Sequence, residues 1–256
     1  MPTFDTHAYF GPSPFSGDLA TREAVLGTMR RRDISGMALI SALGAQCDFV
    51  AGNRLLREMV APEDGLFGWV TLNAGYSAES QEEQRRHQNR RGMIGAALFA
   101  APGRPVTLED AREILNAQRR YAKPVALATP DAEAVHQARL IAAEFAAMKF
   151  VFLGMGGEDW RVAMAAAKKH LNIYLEISGS LDTDKIAQAS AIVTPRKLLY
   201  GSGLPTGSPE LTQALVESAA TLTRPDRNRI LSENAAALLR TQVEEDAAEE
   251  DDADGE

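Results

Sequence analysis

Short apolar runs alternate with amphipathic stretches along most of the chain. Eight runs of four to seven residues are rich in aliphatic and aromatic side chains, which predicts buried β-strands. The stretches between them place apolar residues three or four positions apart, as in helices that cover one side of a sheet. The predicted strands are Thr3–Tyr9, Gly36–Ser41, Leu66–Leu72, Ile94–Ala100, Pro124–Ala128, Phe150–Leu153, Ile173–Ile177 and Lys197–Tyr200.

The regular alternation of strands and helices predicts the architecture. Strands separated by helices pair in parallel through right-handed crossovers. Eight such steps favour a single closed (β/α)8 TIM barrel with an extra C-terminal helix, over residues 1–240; an open doubly wound sheet is the alternative. The predicted helices are Leu19–Arg32, Cys47–Val60, Ala78–Arg90, Leu108–Tyr121, Asp131–Met148, Trp160–His170, Leu181–Ala189, Pro209–Thr221 and Pro225–Leu239.

The charge of the chain is concentrated at its C-terminal end. The net charge is −8, but residues 244–256 contain nine of the 35 acidic residues and no Lys or Arg, leaving 26 acidic against 27 basic residues elsewhere. The body is therefore nearly neutral, and we expect no nucleic-acid partner. Residues 241–256 are predicted to be a disordered acidic tail, either simply solvated or serving as a tether or an autoinhibitory strand.

Other features of the composition indicate a protein of the cytoplasm. No run of eighteen apolar residues suggests a membrane span, and the N-terminal residues do not resemble a secretory signal. Cys47 is the single cysteine, so no internal disulfide is possible, which fits a reducing compartment.

The first strand ends in the sequence FDTHAY, which is half of a possible metal motif. Side chains alternate along a strand, so Asp5, His7 and Tyr9 are expected to project to the same side, into the barrel. Two histidines at this spacing could bind one metal ion, whereas a histidine and a tyrosine would do so poorly. Taken alone, a single His near a strand end is more often structural than a ligand.

Several later segments, taken in order, resemble the amidohydrolase superfamily, specifically its amidohydrolase-related metal-dependent hydrolases and decarboxylases. The most distinctive are the helix RILSENAAALL at 229–239 and the strand end GSGLP at 201–205, together with PVALAT at 124–129 and LGMGG at 153–157. The resemblance runs from about Phe4 to Leu239. It implies a TIM barrel whose C-terminal face binds a divalent metal, often zinc, for hydrolysis or for decarboxylation of small carboxylic acids.

The resemblance also implies where the functional residues of the family would fall, and most of those positions are substituted. The first-strand histidine pair becomes His7 and Tyr9. The fourth-strand Lys and His fall at Ala97 and Phe99. The remaining two histidines and the catalytic Asp fall at Ala128, Gly154 and Gly203. Only His7 is retained, with Asp5 beside it, so no bound metal and no other cofactor is expected.

Other residues could replace the lost site. Asp5, His7 and Glu176 are the catalytic candidates, although no third group was evident to orient a pair formed by His7 and Glu176. Tyr9, Phe99 and Met155 are candidates for lining an apolar pocket for a neutral or aromatic ligand. The other histidines, His87, His136 and His170, are expected at the surface.

These substitutions lead to a main functional hypothesis and two alternatives. The main one is a catalytically degenerate, amidohydrolase-like barrel, a pseudoenzyme that acts as a structural or regulatory subunit. It would form a homo-oligomer, or a hetero-oligomer with an intact relative or another enzyme of its pathway. The first alternative is a hydrolase or decarboxylase with a relocated or metal-independent site. The second is a small-molecule binding barrel; phosphate binding by the glycine-rich strand ends is a minor variant.

Overall fold

An eight-stranded parallel sheet forms the centre of the protein, in a computed structural model that describes residues 3–13, 17–18 and 20–239. All eight predicted strands are present, with boundaries within two residues of the predicted ones. Their order in the sheet follows the chain. The strands are β1 (Thr3–Phe10), β2 (Ile34–Ser41), β3 (Leu66–Asn73), β4 (Met93–Phe99), β5 (Val125–Ala128), β6 (Phe150–Leu153), β7 (Ile173–Glu176) and β8 (Leu198–Leu199).

Backbone hydrogen bonds between the two ends of the sheet close it into a barrel. The N–H of Thr6 donates to the carbonyl of Tyr200 at 3.0 Å, and the N–H of Gly203 donates to the carbonyl of His7 at 2.9 Å. The segment that follows β8 therefore pairs with β1. The predicted (β/α)8 barrel is confirmed, and the open sheet is wrong.

Helices surround the barrel as predicted. Two short elements were not predicted: the helix α2 (Ala42–Gln46) and an antiparallel pair of strands formed by Pro12–Ser13 and Gly17–Asp18. The helices are α1 (Arg22–Arg31), α2 (Ala42–Gln46), α3 (Phe49–Val60), α4 (Ser77–His87), α5 (Leu108–Gln118), α6 (Ala132–Glu144), α7 (Trp160–Lys169), α8 (Asp184–Ile192), α9 (Pro209–Ser218) and α10 (Arg224–Asn228).

The extra C-terminal helix packs against the apolar interior of the barrel. After α10 the chain forms a π-helical turn, Arg229–Glu233, and then a helix over 234–239. Leu238 and Leu239 join Phe4 and Trp69 in one buried cluster with inward-facing strand residues. The indole N–H of Trp69, which is fully buried, donates to the carbonyl of Thr6 at 3.1 Å. The interior is thus a packed core, and a site can form only above it, at the carboxyl ends of the strands.

One predicted surface histidine is buried. His87 is 5% exposed, and its Nε2 atom lies 3.3 Å from Oε2 of Glu83. That carboxylate also accepts a hydrogen bond at 2.9 Å from Asn53, on α3. The prediction was wrong because α4 packs polar side chains against α3 and β3, which its highly charged sequence does not indicate.

Two further sequence predictions concern the acidic tail and a membrane span. The predicted acidic tail, 241–256, lies outside the described residues. No helix in the described ranges is long and apolar enough to cross a membrane.

Candidate active site at the carboxyl ends of the strands

A buried histidine–carboxylate pair lies at the top of the barrel. His7, on β1, places Nδ1 2.7 Å from Oε2 of Glu176, the last residue of β7. The two strands are not neighbours, because β8 lies between them. The pair can form because Gly201 follows β8: a Cβ atom at this position would lie 2.3 Å from Oε1 of Glu176. The glycine therefore provides the space that the carboxylate occupies.

The carboxylate of Glu176 is surrounded by hydrogen-bond donors. Oε2 accepts from the backbone N–H of Gly154 and from the hydroxyl of Ser178, both at 2.9 Å, and Oε1 accepts from the N–H of Ser178 at 2.7 Å. Burial by itself would raise the pKa of Glu176, but the charge and hydrogen bond of His7 and the two N–H groups outweigh it and lower the pKa. Glu176 is thus ionised at neutral pH.

The state of Glu176 determines which nitrogen of His7 can act as a base. An ionised carboxylate only accepts hydrogen bonds, so Nδ1 of His7 carries a proton, and in the neutral ring Nε2 has a free lone pair. Nε2 is buried and has no hydrogen-bond partner among the described residues. A polar atom in this situation normally has a partner, which points to a water molecule or a substrate.

Asp5 is a second buried carboxyl group beside the pair. Its Oδ1 atom accepts the N–H of His7 at 3.1 Å and the N–H of Ser202 at 2.9 Å. Oδ2 is buried and has no partner within the described part of the chain. Burial raises the pKa of Asp5 to about 6, against a smaller lowering by its hydrogen bonds to Ser202 and His7. Asp5 therefore connects β1 to the segment after β8, and it is ionised less readily than an ordinary aspartate.

The position of Ser178 is not that of a catalytic nucleophile. Its hydroxyl oxygen lies 3.4 Å from Nδ1 of His7, on the same side of the ring as Glu176. In a Ser–His–carboxylate triad the serine and the carboxylate contact opposite nitrogens of the ring. Ser178 instead orients Glu176, and it is the third group that the sequence did not reveal.

Two cavities lie next to the pair. The first, which we call the His7 cavity, measures about 410 Å³ and is lined by His7 and by residues that follow β5 to β8, such as Gly154, Ser178 and Gly203. The second, the Phe99 cavity, measures about 470 Å³ and lies against the loop after β4. Tyr9, Ala128 and Pro130 line both cavities, so the two adjoin at Tyr9.

The positions inferred from the family resemblance largely meet around this site. Tyr9 and Ala128 line both cavities, Gly154 and Gly203 line the His7 cavity, and Phe99 lines the other, whereas Ala97 is buried in the barrel interior. Met155 was expected to line an apolar pocket, and this is wrong. It has a positive φ of 48° and is fully buried in the core between strands and helices, because the turn after β6 directs its side chain there.

The donor atoms present do not fit the metal that the family resemblance implies. Both oxygens of Glu176 accept hydrogen bonds from protein groups, and so does Oδ1 of Asp5. Of the His, Asp and Glu side chains described at this site, only His7 (Nε2) and Asp5 (Oδ2) have a buried atom without a hydrogen-bond partner, while a catalytic zinc ion normally takes about three protein ligands. Within the described residues, no group of three or more His, Cys, Asp or Glu side chains could hold a metal ion.

Lys185 is a further residue that sequence reasoning missed. It is fully buried on α8, and its ammonium group donates to the carbonyls of Ile177 and Ser180, which flank the turn that carries Ser178. Burial lowers the pKa of Lys185 to about 8. No pattern in the sequence marks this lysine, because its partners are backbone atoms.

The fold and this site define an α/β-barrel protein with acid–base groups at the carboxyl ends of its strands. The sequence matches the amidohydrolase family over residues 12–241. The chain therefore belongs to the amidohydrolase family. No curated protein sequence matches it significantly.

Similar solved structures share the fold over nearly their whole length. They include 2,6-dihydroxybenzoate decarboxylase from Rhizobium, with a TM-score of 0.76 and 15% identity, covering 94% of this chain and 99% of that one. A second is 5-carboxyvanillate decarboxylase from Sphingomonas paucimobilis, with a TM-score of 0.71, 13% identity, and coverage of 93% and 99%. A third is 4-oxalomesaconate hydratase from Rhodopseudomonas palustris, with a TM-score of 0.70, 15% identity, and coverage of 98% and 99%.

Proposed function

We propose that this chain is a metal-independent hydrolase of the amidohydrolase family, with His7 as its general base. The observation that carries the proposal is the 2.7 Å contact between Nδ1 of His7 and Glu176, combined with an unpartnered Nε2 in a residue that lines a cavity. A base oriented by a buried carboxylate is the arrangement that removes a proton from an attacking hydroxyl group.

In the proposed reaction, Nε2 of His7 takes a proton from water while the water oxygen forms a bond to the substrate carbonyl carbon. Ionised Glu176 stabilises the imidazolium ion. When the bond to the leaving group breaks, the imidazolium returns the proton to that group, and the products are an acid and an alcohol or amine. General acid–base catalysis of this kind contributes roughly 10²–10⁴-fold.

Tyr9 is the candidate donor to the developing oxyanion. Its ring lies edge-to-face with that of His7, with centroids 5.2 Å apart, and it lines both cavities. Burial and the charge of Glu176 raise the pKa of Tyr9, so the hydroxyl keeps its proton and can donate a hydrogen bond. Neutral donors of this type can stabilise a tetrahedral intermediate.

Charge favours hydrolysis over decarboxylation as the reaction. Within the described residues, no Lys or Arg lines the His7 cavity, whereas ionised Glu176 contacts His7 directly. A substrate carboxylate placed there would be desolvated without a counter-ion, which is costly. Decarboxylation remains the second candidate, because the chain shares its fold with two decarboxylases.

The test is hydrolysis of 4-nitrophenyl acetate and a matching anilide by the full chain after exhaustive chelation. We expect hydrolysis to persist without metal and to fall at least 100-fold in His7→Ala and in Glu176→Gln. Cys47→Ser, at an exposed thiol, is the control for side reactions with the ester and should leave the rate unchanged. Thermal unfolding of each variant separates a lost fold from lost chemistry.

Three outcomes would contradict the proposal. The first is activity that returns only with zinc or manganese, and the second is a His7→Ala variant as active as the parent. The third is a folded but inactive protein that binds a related active amidohydrolase, which would favour the non-catalytic subunit predicted from the sequence. The predictions of an oligomeric state and of the absence of a cofactor are tested by sedimentation and metal analysis of the same samples.

A further inference from the structure

The Phe99 cavity has the dimensions of a ligand site that the proposed chemistry does not use. It measures about 470 Å³, within the 300–1,000 Å³ typical of small-molecule sites. Its walls are mostly apolar and come from four strand ends, with Tyr9 on β1, Ala45 after β2, Phe99 and Val106 around β4, and Ala128 at the end of β5. An apolar cavity bounded by several different elements is suited to bind an apolar group.

The charged groups at this cavity do not favour an anion. The described lining residues include one cation, Arg104, and two carboxylates, Asp131 and Glu133. Asp131 caps α6 by accepting the N–H of Ala134 at 2.9 Å, and Glu133 accepts from Gln137 at 2.9 Å, so both carboxylates are fixed near the wall. An anionic ligand near Arg104 would therefore also meet two negative charges.

Carboxylates outnumber lining cations along the two adjoining cavities, although the buried ammonium group of Lys185 also interacts with Glu176. Ionised Glu176 lies behind His7, and Asp131 and Glu133 lie beside the Phe99 cavity, with Tyr9 between the two cavities. Asp131, Glu133 and Arg104 are exposed, so water screens their charges, but a carboxylate placed against the apolar walls would still lose its hydration, which is costly. An uncharged molecule is not subject to this cost and gains from burial of its apolar surface.

We propose that the Phe99 cavity binds an uncharged, ring-sized apolar group of the substrate, while the reacting carbonyl passes Tyr9 to His7. The cavity would thereby select neutral esters or amides and reject analogues that carry a carboxylate on the apolar group. This assignment of substrate class rests on the proposed hydrolase function, but binding at the cavity can be measured without any turnover.

The experiment compares two probes that differ in charge and hardly in shape. The ketone carbonyl of 4-nitroacetophenone and of 4-acetylbenzoate stands in for the substrate carbonyl, and neither probe contains a bond that the proposed reaction would hydrolyse. The nitro group is uncharged and has nearly the shape of a carboxylate. Binding to the full chain is measured by calorimetry or ligand-observed NMR at neutral pH. We expect 4-nitroacetophenone to bind at least tenfold more tightly than 4-acetylbenzoate. Equal or tighter binding of the carboxylate would overturn the proposal.

Variants locate the site and identify the cause of the selectivity. Glu133→Gln removes one charge from the cavity wall and should reduce the ratio of the two probe affinities at least threefold. Glu144→Gln, on the same helix but outside the cavity lining, is the matched control and should leave this ratio unchanged. Phe99→Leu should weaken the binding of 4-nitroacetophenone severalfold, and an unchanged affinity in this variant would place the probe elsewhere.

The two proposals can fail separately. If 4-nitroacetophenone is preferred but no hydrolysis depends on His7, the binding site stands and the hydrolase proposal fails. If His7-dependent hydrolysis is found but charged and uncharged probes bind alike, the hydrolase stands and the assignment of substrate class fails.

Discussion

Nδ1 of His7 lies 2.7 Å from Oε2 of Glu176, although the two residues are 169 positions apart and belong to strands that are not adjacent. The contact crosses the position of β8, where Gly201 has no side chain to obstruct it. Backbone N–H groups and Ser178 then keep the carboxylate ionised and fixed in place.

Gly201→Ala is expected to disable the site by steric displacement. The new Cβ would lie 2.3 Å from Oε1 and 2.6 Å from Cδ of Glu176, so the carboxylate must move away from His7. We expect a fall in kcat/KM of at least about 100-fold for ester hydrolysis and a loss of about 1–3 kcal/mol in the free energy of unfolding. Gly75→Ala is the control, because its Cβ would make only an ordinary 3.4 Å contact. A fully active Gly201→Ala enzyme would argue against a role for the pair.

Ser178→Ala is expected to reduce activity without abolishing it. The hydroxyl contributes one hydrogen bond to Glu176, and the N–H of residue 178 contributes another that the variant keeps. Loss of one hydrogen bond to a charged group costs about 1.5–3 kcal/mol, so we expect a fall in kcat/KM of roughly 10- to 100-fold. Pre-steady-state kinetics should show no acyl-enzyme burst in the parent. A burst that disappears in Ser178→Ala would instead identify the serine as a nucleophile.

Asp5→Asn is expected to change how stability depends on pH. Asp5 binds its proton more tightly in the folded protein, where its pKa is raised to about 6 from 3.8. Between these two pH values the folded state binds more protons than the unfolded state. The contribution of Asp5 to the free energy of unfolding is therefore fully present below about pH 3.8 and is lost as the pH rises through about 6. The shift in the pKa of Asp5 corresponds to a loss of up to about 3 kcal/mol in the free energy of unfolding over this pH range.

The variant retains an acceptor at Oδ1 but no longer titrates. Chemical unfolding gives the free energy of unfolding of both proteins at pH 4 and at pH 7.5. From the lower to the higher pH, the value for Asp5→Asn should rise by about 1–3 kcal/mol relative to that of the parent. Asp64→Asn, at a side chain that is 95% exposed, is the control and should show little relative change. A constant difference between Asp5→Asn and the parent at both pH values would contradict the raised pKa.

Asn53→Ala is expected to destabilise the fold and leave the chemistry intact. The amide of Asn53 bonds to both backbone groups of Thr71, on β3, and to Glu83 on α4. Its removal leaves buried polar groups unpaired, so we expect a loss of about 2–4 kcal/mol in the free energy of unfolding. Glu58 is exposed on the same helix, and Glu58→Ala should lower the free energy of unfolding by less than about 0.5 kcal/mol. Equal stabilities of the two variants would show that the buried network contributes little.

The sequence alone predicted the barrel well. Strands buried on both faces appear as continuous apolar runs, as in Phe150–Leu153, whose predicted and observed boundaries coincide. Helix starts also have local signals: Thr107 accepts the N–H of Asp110, and Ser208 accepts the N–H of Leu211. These features depend on neighbours within a few residues of one another, so they can be recognised without a structure.

The candidate site was only partly predictable. Asp5, His7 and Glu176 were recognised because strand ends carry function in a barrel, and the structure brings all three together. The groups that orient Glu176 could not be recognised, since two of its hydrogen bonds come from backbone N–H groups, which no residue type reveals. The burial of Met155 could not be recognised either, because it follows β6 in a left-handed turn and its side chain lies in the core.

The sequence by itself determined the order of the strands and helices and the substitutions at the family positions, because periodicity and residue type are local properties. Only the tertiary structure decided that Glu176 contacts His7 and that, among the residues described at the site, Nε2 of His7 and Oδ2 of Asp5 are buried without a hydrogen-bond partner. These outcomes depend on how closely strands β1, β7 and β8 approach one another. That distance is set by barrel closure and by the missing side chain at Gly201, and not by either partner's own sequence.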